Sequence, residues 1–150
     1  MITIKDLLKE KGSQVHSIPP HATIYEALQE MADKDVGALV VMEGDRVVGM
    51  FSERDYARKV ALKGRSSRDW PVGDLMSAKV FFITPEKSLE DCMTLMTMKK
   101  IRHVPVMSQD KLVGLVSIGD IVNKIISAQK NEINDLENYI IGGYGSSIYK

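Results

Sequence analysis

Gly49-Met50-Phe51-Ser52-Glu53-Arg54-Asp55 returns 65 positions later as Gly114-Leu115-Val116-Ser117-Ile118-Gly119-Asp120. Each copy is Gly, two apolar residues, Ser, two variable residues and Asp. Each follows an apolar pair suited to a strand (Val47-Val48, Leu112-Val113) and leads into a helix-like stretch (Tyr56–Val60, Ile121–Ile125). A small polar group therefore stands at a strand-to-helix turn twice, at one fixed offset. The match extends outward without a gap, from 18–60 against 83–125, and includes Pro20/Pro85, Met31/Met96, Val41/Val106, Asp45/Asp110 and Lys59/Lys124. Self-similarity of this length means one supersecondary unit used twice.

The order within each unit reads strand, helix, strand, strand, helix. Thr3 with Asp6 has capping-box spacing and predicts a short helix over 3–11, with Val72–Met76 as its counterpart at an offset of 68. Val15–Ile18 is a strand. Thr23-x-x-Glu26 opens a helix in which Ile24, Ala27, Leu28 and Met31 recur at helical spacing, and Gly37 is expected to end the run. Ala38–Met42 is apolar on both faces, and Glu43-Gly44-Asp45 turns the chain back through Arg46–Phe51. The second unit follows with strands Val80–Ile83, His103–Met107 and Lys111–Val116 and helices Ser88–Lys100 and Ile118–Ile126. Pro105 cannot donate a ladder bond and predicts an edge or a locally open backbone. Ile133, Leu136, Tyr139 and Ile140 predict one extra amphipathic helix through about Ile141, docked on the body or on a second subunit, with Gly142–Ser147 as a flexible end. The expected division is repeat 1 over 1–62, a polar linker over 63–71, repeat 2 over 72–126, and a C-terminal helix and tail over 127–150. The fold class is α+β, two βαββα repeats packed about a pseudo-two-fold axis, since a half of about 60 residues buries little core alone.

Composition narrows the function classes. The chain has 20 Lys+Arg and 20 Asp+Glu in 150 residues, and no long basic block, which argues against nucleic acid and anionic membranes as partners. No apolar run approaches a membrane span, and the first residues lack the apolar region of a signal peptide. The single cysteine, Cys92, fits a reducing compartment, and a cytoplasmic location is expected.

Two readings of the repeated turn stand side by side. Ser52-x-x-Asp55 and Ser117-x-x-Asp120 are capping boxes, worth about 1 kcal/mol each as helix caps. They also suit a ligand: a helix N-terminus offers free N–H groups, Asp can accept two hydrogen bonds from paired hydroxyls, and the preceding Gly permits close approach. A hydrolytic triad from Ser117, His103 and Asp120 is weak, because repeat 1 has Ala38 at the position of His103 and no nucleophile elbow is present. His16, His21 and Cys92 have no ligand spacing, so no metal is expected.

Two βαββα units that each end in Gly-apolar-apolar-Ser-x-x-Asp, with Arg102-His103-Val104-Pro105-Val106 in the second, resemble a tandem pair of cystathionine-β-synthase (CBS) domains, a Bateman module. The resemblance runs from about Ile4 to Ile126, and Glu53–Val60 is similar to small free-standing bacterial members. It implies a non-catalytic regulatory module that binds an adenosine compound (AMP, ADP, ATP, NAD or S-adenosylmethionine) in clefts between the repeats, as an energy or redox sensor. By position, Asp55 and Asp120 would hold ribose hydroxyls with Ser52 and Ser117 beside them. Val36-Gly37-Ala38 and Ile101-Arg102-His103 would take the adenine, and Arg54, Arg58, Arg102 and His103 the phosphate. Asp55 would share a pocket with 101–103, and Asp120 with 36–38. The family further implies a homodimer and an unidentified protein effector. The alternative is a ligand-free interaction module that uses methionine-rich helix faces (Met93, Met96, Met98).

Overall fold

The computed structural model describes residues 1–144. Its elements are α1 (Ile4–Lys11), β1 (Ser17–Ile18), α2 (Ile24–Lys34), β2 (Ala38–Glu43), β3 (Arg46–Ser52), α3 (Glu53–Asp55), a π-helical turn (Tyr56–Ala61), α4 (Val72–Leu75), α5 (Leu89–Lys99), β4 (His103–Ser108), β5 (Lys111–Ser117) and α6 (Ile118–Tyr144). The helix starts expected from capping boxes form as such. Thr3, Thr23, Ser52, Ser88 and Ser117 each accept a hydrogen bond from the backbone N–H three residues on, and the carboxylate there accepts one in return. The two helices that follow β1 and its counterpart end alike. Asp35 (φ 53°) and Lys100 (φ 55°), one repeat apart, take the left-handed conformation as C-caps. Asp35, not Gly37, therefore ends α2.

In each repeat an antiparallel hairpin supplies the floor. β2 pairs with β3 from Ala38↔Ser52 to Glu43↔Arg46, and β4 with β5 from His103↔Ser117 to Ser108↔Lys111, each with a bulge at the same place. In repeat 1, β1 adds a parallel strand against β2 (Ser17↔Val40, Ile18↔Val41). The strand expected over 80–83 does not form, and only an isolated bridge joins Ile83 to Val106. The cause is Pro105. Its equivalent, Val40, donates its N–H to the His16 carbonyl at 3.2 Å, whereas proline has no N–H to give to Phe81.

Packing does not follow linear order. The first core cluster joins Ile18, Ile24, Met31, Leu39, Phe51 and Val60 with Val72 and Leu75 of α4. The second joins Leu89, Cys92, Met96, Val104, Val116 and Ile121 with Ile4 and Leu7 of α1. Paired backbone bonds seal the exchange: Ile4 N–H to the Lys87 carbonyl (2.8 Å) and Leu89 N–H to that of Ile2 (3.1 Å), matched by Val72 to Ala22 (2.7 Å) and Ile24 to Trp70 (3.0 Å). Each half thus lends its leading helix to the other. The repeated glycines serve this exchange. A Cβ on Gly114 would sit 2.8 Å from Leu8, and one on Gly49 would meet Met76 and lie 3.0 Å from the Ser77 carbonyl. The close approach they permit is that of the swapped helix rather than of a ligand. Cys92 is fully buried, and burial pushes its thiol up to about 11, so it behaves as an inert core residue.

The tail departs from expectation. Ile118–Ile126 and the extra helix are one continuous α6, and among the described residues its distal part docks on nothing. From Gln129 to Ile140 every residue is exposed. The helix continues past Ile141 to Tyr144, and the rest of the glycine-rich end lies outside the described residues. Among the described residues no helix is long and apolar enough to cross a membrane.

Candidate functional site

The repeated turn is built the same way twice. In each repeat the hairpin register delivers Ser to the end of the second strand, and the chain turns at once into a helix. The N–H after the Ser returns to the facing strand entrance: Glu53 to the Gly37 carbonyl at 3.0 Å, Ile118 to that of Arg102 at 2.9 Å. The two turns nevertheless open on different surroundings.

The Ser52–Asp55 turn faces a cavity of about 270 Å³ between the repeats. Ser52, Arg54, Asp55, Arg58 and Ala38 line it from repeat 1, and Ile101, Arg102, His103 and Pro105 from repeat 2. Asp55 and 101–103 thus meet in one pocket. Asp55 Oδ2 accepts from the Ser52 N–H (2.9 Å) and hydroxyl (3.0 Å), while Oδ1 accepts from the Ser77 hydroxyl (3.1 Å) and faces the Lys59 ammonium (3.2 Å). Arg54 donates to the Lys100 carbonyl at 2.7 Å and so ties the motif of one repeat to the strand entrance of the other. Arg58 projects from the π-helical turn, where the Leu62 N–H reaches the Ala57 carbonyl at 3.0 Å. Such turns concentrate at functional sites.

The Ser117–Asp120 turn is closed. The Lys11 ammonium, from the end of the exchanged α1, lies 2.6 Å from Asp120 Oδ2 and also donates to the Leu115 carbonyl. Asp120 lines a wider-mouthed groove of about 280 Å³ with Leu7, Glu10, Lys11, Asn123, Lys124 and Ser127. Val36 and Gly37 do not line that groove, and Ala38 lines the other cavity. Desolvation pushes the Asp120 carboxyl up, but the Lys11 hydrogen bond, the Ser117 N–H and the Lys11 charge outweigh it, and the group ends below its ordinary value.

His103 sits where the strand entrances approach each other, its ring 3.6 Å from where a Cβ on Gly37 would stand. Burial lowers its pKa, Lys11, Arg102 and Arg54 lower it further, and Asp120 opposes them. The imidazole is therefore held neutral. Among the described residues no hydrogen bond joins His103 to Ser117, and the Ser117 hydroxyl is engaged by the Asp120 N–H, so the triad geometry is not assembled.

Several lining residues were not picked out from the sequence: Met50, Lys59, Ser77, Lys79, Val80, Phe81 and Lys100. Lys59 carried a signal, since it repeats as Lys124, and Lys11 and Lys79 correspond at the offset of the exchanged helices. Six basic side chains (Arg54, Arg58, Lys59, Lys79, Lys100, Arg102) surround the cavity against one acidic group, Asp55. A surface of that balance attracts anions, and guanidinium forks match phosphate.

The family model of the CBS domain matches residues 12–62 and 72–127. The chain belongs to the CBS domain family. Among curated proteins it is 39% identical over 151 residues to the CBS domain-containing protein CBSX3, mitochondrial, of Arabidopsis thaliana, covering 95% of this chain and 73% of that protein. It is 36% identical to the CBS domain-containing protein YhcV of Bacillus subtilis, covering 81% and 84%. Among solved structures, a CBS-domain protein of Burkholderia ambifaria superposes with a TM-score of 0.82 at 42% identity, over 85% of this chain and 96% of that one. CBS domain pairs are typically regulatory and ligand-binding, and commonly take adenosine ligands.

Proposed function

We propose that this CBS pair is a non-catalytic sensor that binds one adenosine nucleotide per chain, in the cleft between Ser52–Asp55 and Ile101–His103. The observation that carries the reading is the convergence of a hydroxyl-accepting Ser/Asp turn with six cations around one cavity. Asp55 and Ser52 would take the ribose, Ala38 and Ile101–His103 the base, and Arg58, Arg102 and the lysines the phosphates. The excess of positive charge favours ligands with several phosphate charges, in the order ATP, ADP, AMP, with NAD, whose net charge is smaller, after them. Both halves contribute to the cleft, so a ligand that binds one inter-repeat angle better shifts the population toward it. The output then passes to an effector protein, in a cytoplasmic setting suited to one reduced, buried thiol. Zinc is not part of this reading. The hypoxic response protein of Mycobacterium tuberculosis, 29% identical, was solved with two coordinated zinc ions, but among the described residues here no group of three or more His, Cys, Asp or Glu could hold a metal.

A thermal-shift panel with AMP, ADP, ATP, NAD, NADH and S-adenosylmethionine tests the proposal. A ligand present at 100 times its Kd stabilises the fold by about 2.7 kcal/mol. A rise with adenosine phosphates that disappears in Asp55→Ala supports it. No response to any compound would transfer the reading to a ligand-free interaction module.

A further inference from the structure

The distal half of α6 cannot be explained by the chain that carries it. Its first turns are anchored, with Ile121 buried and Ile125 packed on the second core. From Gln129 to Ile140 every residue is exposed among the described residues. An isolated helix of about 15 residues is marginal even when rich in alanine, and this one holds Asn131, Asn134 and Asn138, which are poor helix formers. It also carries a stripe of large apolar residues: Ile126 is 44% exposed, Ile133 54%, Leu136 59% and Ile140 47%. A helix of this composition persists when its stripe is covered.

The spacing of the stripe says by what. Val122, Ile126, Ile133, Leu136 and Ile140 fall on alternate steps of four and three, with Gln129 at the one polar step. That is a heptad seam, with isoleucine at a and leucine at d, and its natural partner is another helix bearing the same seam. Charge selects the orientation. In the same register Lys130 and Glu137 occupy e positions and Glu132 a g position. Parallel pairing would set Glu132 of one copy against Glu137 of the other. Antiparallel pairing that layers Ile133 on Leu136 and Gln129 on Ile140 sets Lys130 against Glu137 twice instead.

We propose that residues 129–140 of α6 pair with the same stretch of a second copy of this chain as an antiparallel coiled coil. The seam is continuous with the anchored part of the helix, so each body is held at a fixed distance from the other. The pairing needs no nucleotide.

Sedimentation velocity on the full chain, without ligand, tests it. The expected result is an assembly whose mass halves when Ile133→Asp and Leu136→Asp are introduced together. Both side chains are exposed within the chain, so the cooperative melt of the body stays in place while helical circular dichroism falls. An unchanged mass in this variant, or a wild-type chain that is monomeric up to high micromolar concentration, overturns the proposal. Lys130→Glu alone should weaken association about tenfold and Lys130→Glu with Glu137→Lys should restore it. A single reversal without effect rejects the antiparallel pairing.

Discussion

The Ser52–Asp55 and Ser117–Asp120 turns share a backbone course, a capping box and a carboxylate, and differ in what reaches that carboxylate. Asp55 meets the hydroxyl of Ser77, the ammonium of Lys59 and an open cavity. Asp120 meets Lys11, whose ammonium also takes the Leu115 carbonyl. In repeat 1 the equivalent carbonyl, that of Met50, is satisfied by the Ser77 backbone N–H at 2.8 Å. Ser77, just after the exchanged α4, thus does with its backbone N–H and a short hydroxyl what Lys11 does with one long side chain. The short donor leaves room in front of the turn, and the long one fills it. Identical motifs are not equivalent sites when the segment laid over them comes from elsewhere in the chain.

The sharpest way to break this comparison is to remove each carboxylate in turn. Asp55→Ala should lower nucleotide affinity on the order of 100-fold by titration calorimetry, since it deletes hydrogen bonds to a charged acceptor worth about 1.5–3 kcal/mol each. Asp120→Ala should leave affinity nearly unchanged, and equal losses would sink the distinction. Next in size is Lys11→Met, which withdraws the ammonium while keeping the aliphatic stem. A second, weaker binding event should then appear in the same calorimetric titration. If the stoichiometry stays at one ligand per chain, Lys11 is not what closes the second turn.

Smaller effects sharpen the difference between the hairpins. Pro105→Val returns an N–H at the position where Val40 donates to His16. It should add about 1 kcal/mol of stability, one net hydrogen bond, in urea denaturation, and weaken ligand binding by tightening the Phe81 side of the cavity. The least effect concerns His103. Its folded-state pKa is depressed by burial and by Lys11, Arg102 and Arg54, so the unfolded chain takes up the proton first as pH falls. The unfolded state binds more protons in that window, so stability rises with pH there. Urea midpoints should therefore fall as pH drops below about 6.5, the ordinary histidine value, and level off beneath the folded-state pKa. His103→Gln should flatten that slope, and a slope unchanged by the substitution would show that the imidazole is not held neutral.

Much of this molecule was legible because its information is local or repeated. Capping boxes are written within four residues, and all five expected from Thr3, Thr23, Ser52, Ser88 and Ser117 form. The hairpins follow from apolar runs divided by short turns. The ungapped match at an offset of 65 carried both the architecture and the family. Other features were misread for physical reasons. Gly37 looked like a helix stop because glycine commonly adopts the left-handed conformation, but Asp35 adopts it here. Val80–Ile83 looked like a strand because the repeat supplied one, while the consequence of Pro105 depended on which residue faced it across the ladder. The tail looked like a separate docking helix because its apolar stripe is amphipathic, and a stripe does not say which surface covers it.

The sequence alone determined the duplicated α+β plan, its turns and caps, and the residue types of the two Ser/Asp sites, since these follow from periodicity and short-range hydrogen bonding. Only the tertiary structure decided that α1 and α4 trade places, that Gly49 and Gly114 make room for them, and that Lys11 closes one turn while Ser77 leaves the other open. Those outcomes depend on contacts between residues as much as 109 and 114 positions apart. Local propensity does not encode such distances, and steric fit in the assembled core does.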